Sequence, residues 1–219
     1  MAKSRLETIA RFQSHPEIPV LILGAGINGV GLLRELALQG IDALLVDKSD
    51  IAAGASSAPS RMIHGGLRYL ENRETRLVRE SLKERNLLLR NAPHYVKPLA
   101  TTIPIFHRTS GIFNAMKVFF GLKGKSVNRG ALLVKIGLTA YDWYTRRHRM
   151  MPKHRLWSKA ESLRYRPALN PAIVATATYY DAWISYPERL CIELVNDALQ
   201  ANPRCAFLNY CSLSHMNPS

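Results

Sequence analysis

Residues 19–47 read PVLILGAGINGVGLLRELALQGIDALLVD, and this stretch decides the fold. Ile18 to Leu23 is a short apolar run ending at a glycine, the pattern of a buried parallel strand. Gly24, Gly26 and Gly29 follow with the spacing G-x-G-x-x-G. Val30 to Gln39 then carries helical apolar spacing through Val30, Leu33, Leu36 and Ala37, and Gly40 supplies a natural stop. Ala43 to Val46 is a second apolar strand, closed by Asp47. A strand, a glycine turn, a helix and a strand within about 30 residues make a βαβ unit.

The turn has a mechanism. Gly24 permits the tight exit from the strand, Gly26 lets a pyrophosphate approach the backbone, and Gly29 lets the helix pack closely on the sheet. Gly24, Gly26, Asn28 and Gly29 are therefore the expected phosphate-side residues. The helix N-terminus adds free N–H groups and a favourable dipole. Asp47 stands 23 positions after Gly24, where a carboxylate accepts hydrogen bonds from ribose hydroxyls and disfavours a 2′-phosphate. The motif predicts a dinucleotide and does not by itself choose between FAD and NAD.

Residues 52–71, AAGASSAPSRMIHGGLRYLE, begin as a small-residue loop and carry chemistry at their end. Histidine titrates near neutrality and can take a hydroxyl proton. Arginine binds phosphate in bidentate fashion. Ser56-Ser57, Arg61, Ile63, His64-Gly65-Gly66 and Arg68-Tyr69-Leu70 resemble the FAD-dependent glycerol-3-phosphate dehydrogenases and the related oxidases. The likeness continues through Arg76 to Glu80 and Ala92-Pro93-His94, and returns at Tyr180-Asp181-Ala182-Trp183 and Arg189-Leu190.

The resemblance implies an α/β chain: a glutathione-reductase-like, Rossmann-type FAD-binding domain with an inserted α+β substrate domain. It chooses FAD as the cofactor. It implies oxidation of sn-glycerol 3-phosphate to dihydroxyacetone phosphate, with quinone as acceptor and oxygen as the runner-up. It assigns His64 to proton transfer and Arg68 to the substrate phosphate, and lays the loop from Ala52 to Gly66 along the flavin. Plainer readings stand beside these. His64 can hydrogen-bond a carbonyl, Arg68 can pair with Glu71 or Glu74, and Ser56 and Ser57 can cap a helix. Gly65 and Gly66 allow close backbone approach to a ring. The family usually has glutamate at Asp47 and often lysine at Arg61. Its members are markedly longer, so the chain looks like the N-terminal part of such an enzyme. The rivals are a related flavoenzyme acting on an amine or another hydroxy acid, and a non-catalytic nucleotide-binding fragment.

Charge is uneven. The chain carries net +14, and residues 101–166 hold 14 Lys/Arg against two acids. Between Gly111 and Arg155 basic residues alternate with apolar and aromatic ones, the composition of a segment that lies on an anionic membrane surface. The alternative is a solvated basic face. No helix-turn-helix, zinc or RNP signature points to nucleic acid. No apolar run is long enough to span a bilayer, and no secretory leader is expected in the first 16 residues. The three cysteines, Cys191, Cys205 and Cys211, show no metal or disulfide spacing, which predicts a reducing compartment and no metal site. The expected location is cytoplasmic, or peripheral on the inner face of the cell membrane.

The expected domains are an N-terminal segment (1–17), a first FAD-binding part (18–98), a basic substrate domain (99–180) and a return to the FAD-binding part (181–219). The N-terminal segment reads as a frayed surface helix. Helices are expected over 74–92, near 112–120 and over 131–147. Strands are expected over 99–106, 173–180 and 206–213, with 107–157 otherwise irregular. Ser158-x-x-Glu161 and Ser185-x-x-Glu188 read as capping boxes opening two further helices, the second running to about Ala201.

Overall fold

The computed structural model of the 219-residue chain describes residues 4–65, 74–108, 134–135, 138–139 and 150–215. It divides into two compact units, residues 1–61 with 184–219, and residues 62–183.

The first unit is built on three parallel strands, β1 (Val20–Leu23), β2 (Ala43–Val46) and β7 (Ala206–Leu208), in the order β1-β2-β7. Val20 pairs with Ala43, and Leu44 with Ala206. Helix α2 (Ile27–Leu38) joins β1 to β2, and α5 (Pro187–Ala201) precedes β7. Their inward residues fall at helical spacing, Val30, Leu33 and Ala37 on α2 and Cys191, Val195 and Ala198 on α5. They close one core with Ile22, Ala43 and Leu45. Burying those side chains is the dominant favourable term for the unit. Gly40 stops α2 at φ +74°, as the sequence predicts.

Three details differ from expectation. Among the described residues β1 is buried on one face only: Ile22 is covered by the core that α2 and α5 close, whereas Leu21 and Leu23 are 46% and 55% exposed. The N-terminal segment holds a capped helix, α1 (Arg5–Ser14). Ser4 accepts from the Glu7 N–H, Glu7 accepts from the Ser4 N–H, and Arg5 and Arg11 donate to the carbonyls of Asn209 and Arg204. Finally, α5 starts at Pro187 with Tyr186, one residue after the expected Ser185, in the capping position. Proline at the first helical position needs no N–H and has its φ already set.

In the second unit the long strand β6 (Ala175–Ile184) lies between its neighbours. It pairs with β4 (Val96–Ile105), and it pairs antiparallel with β5 (Arg155–Ser158) and β3 (Met62–Ile63). Helix α3 (Thr75–Asn91) packs beside β4. α4 (Lys159–Tyr165) opens on the expected Ser158–Glu161 capping box. β5 lies in the stretch read as irregular. The helix expected over 112–120 and most of that over 131–147 fall outside the described residues.

Candidate functional site

The first unit carries the glycine turn. Gly24 sits at φ +105°, a backbone conformation that L side chains rarely adopt. A Cβ on Gly29 would run into the Gly24 carbonyl, so α2 reaches the sheet only with glycine there. Asp47, leaving β2, holds the turn from below. Its Oδ2 accepts from the Ala25 N–H at 2.7 Å and its Oδ1 from the Ser49 N–H at 2.8 Å. A carboxylate offers about four lone-pair sites, so two remain for a hydroxyl. Ser56 comes to the same place from the following loop, with its Oγ accepting from the Ile27 N–H at 2.9 Å. That N–H is one of the free donors at the start of α2. Ser56 therefore caps α2. The Ser57 hydroxyl instead donates to the Gly54 carbonyl within its own loop. Asn28 is exposed on the first turn of α2. A glycine at positive φ, a helix that needs Gly29, backbone donors at its N-terminus and an acid at the end of β2 together fit the pyrophosphate and ribose of a dinucleotide.

The second unit holds His64. It follows β3, and β3 pairs with the end of β6 through Ile63 and Ala182. This places Asp181 beside it. Asp181 is 3% exposed. Its Oδ1 accepts from the Gly65 N–H at 2.9 Å and from Arg85 Nη1 at 3.3 Å, and its Oδ2 lies 3.3 Å from His64 Nδ1. Arg85, on α3, is also 3% exposed and donates as well to the Tyr180 carbonyl. The His64 side chain is 60% exposed. One buried carboxylate thus grips an open imidazole, the next peptide N–H and a buried guanidinium. Burial pushes the Tyr179 phenol above its ordinary pKa, and the negative charge of Asp181 adds to the effect.

Sequence reasoning assigned roles to neither Arg85 nor Asp181. Arg85 left a signal. Val78, Leu82, Arg85 and Leu89 form the buried stripe of α3, and a cation on such a stripe requires a buried anion. Gly66 and Arg68 lie outside the described residues, as does most of the basic segment 111–155. Among the described residues no helix is long and apolar enough to cross a membrane.

Comparison with known proteins agrees with this geometry. The FAD dependent oxidoreductase family matches residues 19–216. The chain belongs to that family. FAD is the family's cofactor, and the glycine turn of the first unit is built to receive a dinucleotide. A glycerol-3-phosphate dehydrogenase of Synechocystis sp. is 38% identical over 192 residues, 87% of this chain and 31% of that protein. A D-erythritol 1-phosphate dehydrogenase of Brucella abortus is 40% identical over 123 residues, 56% of this chain and 21% of that protein. The solved glycerol-3-phosphate dehydrogenase of Bacillus halodurans, complexed with FAD, shares the fold with a TM-score of 0.63 at 19% identity, covering 98% of this chain and 31% of that one. The chain therefore spans about a third of the length of these dehydrogenases.

Proposed function

We propose that the chain carries the flavin-binding and proton-accepting part of an enzyme that oxidises sn-glycerol 3-phosphate to dihydroxyacetone phosphate and passes the electrons to quinone. The observation that carries this reading is His64, an exposed imidazole gripped by a buried carboxylate, within the block that most resembles the glycerol-3-phosphate enzymes. Residues Gly24, Gly26, Asn28, Gly29, Asp47, Ser56, Ser57, Gly65 and Gly66 are the proposed cofactor contacts. FAD held by these residues would supply the acceptor for the hydride of the carbinol carbon. His64 takes the hydroxyl proton as that hydride leaves, so the C–O bond becomes a carbonyl. Arg68 binds the substrate phosphate, where a bidentate guanidinium suits two oxygens. The basic segment 111–155 rests on an anionic membrane surface, where each cation contributes on the order of 1 kcal/mol.

A second reading keeps the chemistry and changes the polyol. It is favoured by the likeness to the Brucella abortus D-erythritol 1-phosphate dehydrogenase. Anaerobic addition of each polyol phosphate to the flavin-loaded chain separates the two. Bleaching of the visible flavin bands by glycerol 3-phosphate supports the first reading. Bleaching by D-erythritol 1-phosphate alone supports the second. Retained flavin that neither bleaches removes both for this chain.

A further inference from the structure

We propose that Asp181 is the positioning residue for His64: its buried carboxylate fixes the imidazole in the Nδ1–H form and leaves Nε2 as the nitrogen with a free lone pair. This rests on the reading of His64 as proton acceptor. It extends that reading by naming the accepting atom and what selects it.

The argument begins with hydrogen-bond roles. An ionised carboxylate only accepts, so its contact with Nδ1 at 3.3 Å is a hydrogen bond when Nδ1 carries the proton. In neutral imidazole a proton on one nitrogen leaves the other as acceptor, and the partner of one nitrogen selects the state of the other. Asp181 can act in this way because it is itself held. The Gly65 N–H and Arg85 Nη1 both donate to Oδ1, which leaves Oδ2 directed to the ring. Arg85 and Asp181 are each 3% exposed, so water does not compete for those contacts. Gly65 is covalently next to His64, so the same carboxylate steadies the backbone that carries the ring as well as the ring itself. The pairing of Ile63 with Ala182 sets the register, and Asp181 is the next residue along β6. The remainder of the histidine side chain is open, with 60% of its surface exposed.

The test reads the ring nitrogens directly. Long-range proton–nitrogen correlation spectra of the full chain labelled with nitrogen-15 histidine report which nitrogen of neutral His64 is protonated. The wild-type chain is expected to show protonated Nδ1 and bare Nε2. A predominantly Nε2–H ring overturns the proposal, and this arm needs no variant. In Asp181→Asn, whose amide can donate as well as accept, the Nε2–H form should become populated. An unchanged tautomer in a folded variant also overturns the proposal. Flavin reduction by glycerol 3-phosphate should slow in Asp181→Asn by on the order of 100-fold or more, with little change in KM, as expected when a general base is held in the wrong tautomer. If His64→Gln reduces flavin at the wild-type rate, His64 is not the proton acceptor. The tautomer result then still decides what Asp181 does to the ring.

Discussion

Arg85 Nη1 and Asp181 Oδ1 meet at 3.3 Å with both side chains almost wholly out of water. Removing one member leaves the other as an uncompensated buried charge. Arg85→Met is therefore expected to lower the unfolding free energy by about 3–5 kcal/mol in a urea titration. The double variant Arg85→Met, Asp181→Leu should lose less than Arg85→Met alone, because an apolar pair carries no desolvation cost. A double variant at least as unstable as the single would contradict this account.

Two glycines of α2 should respond in opposite directions. At Gly29 a Cβ would strike the Gly24 carbonyl, so Gly29→Ala should cost about 1–3 kcal/mol and reduce the flavin retained on purification. At Gly31 a Cβ meets nothing within 4 Å, and alanine in a helix interior gains about 0.5–1 kcal/mol over glycine. Gly31→Ala should raise the melting temperature. Equal effects at the two sites would argue against close helix–strand approach at Gly29.

Acid should weaken the first unit through Asp42. The Asn202 side-chain amide donates to its carboxylate at 3.0 Å, as does Arg204 Nε, also at 3.0 Å. The Asn202 hydrogen bond, followed by the Arg204 charge, holds the Asp42 carboxyl below its ordinary value. A carboxyl with a depressed folded-state pKa contributes stability above its unfolded pKa and loses it as pH falls through the folded one. The wild-type chain should therefore melt at a higher temperature than Asp42→Asn near neutrality. The gap should close as pH falls from about 5 toward 2. A gap independent of pH would show that Asp42 acts through packing alone.

The parts of the fold that were legible in the sequence are those set by local chemistry. β2 lies at Ala43–Val46, where the apolar run put it, and the turn at Gly24–Gly29 follows from residue types that few other conformations need. The Ser158 box opens α4 as read. The same signal at Ser4 and Glu7 shows that α1 was legible too, although the segment reads at first as a fraying end. β5 was not legible, because four residues with Arg155 at their start become a strand only through pairing with β6. The grip of Asp181 on His64 was hidden for a related reason. His64 and Asp181 are 117 positions apart, and no local pattern joins them. The half-exposed face of β1 escaped because an apolar run reports hydrophobicity and not how many layers will cover it.

That face bears on how the chain behaves in a tube. β1 is an edge strand among the described residues, with Leu21 and Leu23 turned to solvent beside it. An unpaired row of backbone donors and acceptors next to exposed leucines is a template for another copy's strand. Net charge of +14 opposes such encounters at low ionic strength, and salt removes that protection. Light scattering of the purified chain should therefore rise with added sodium chloride, and Leu21→Lys should suppress the rise. A low-salt buffer should therefore hold the purified 219-residue chain in solution better than a high-salt wash does.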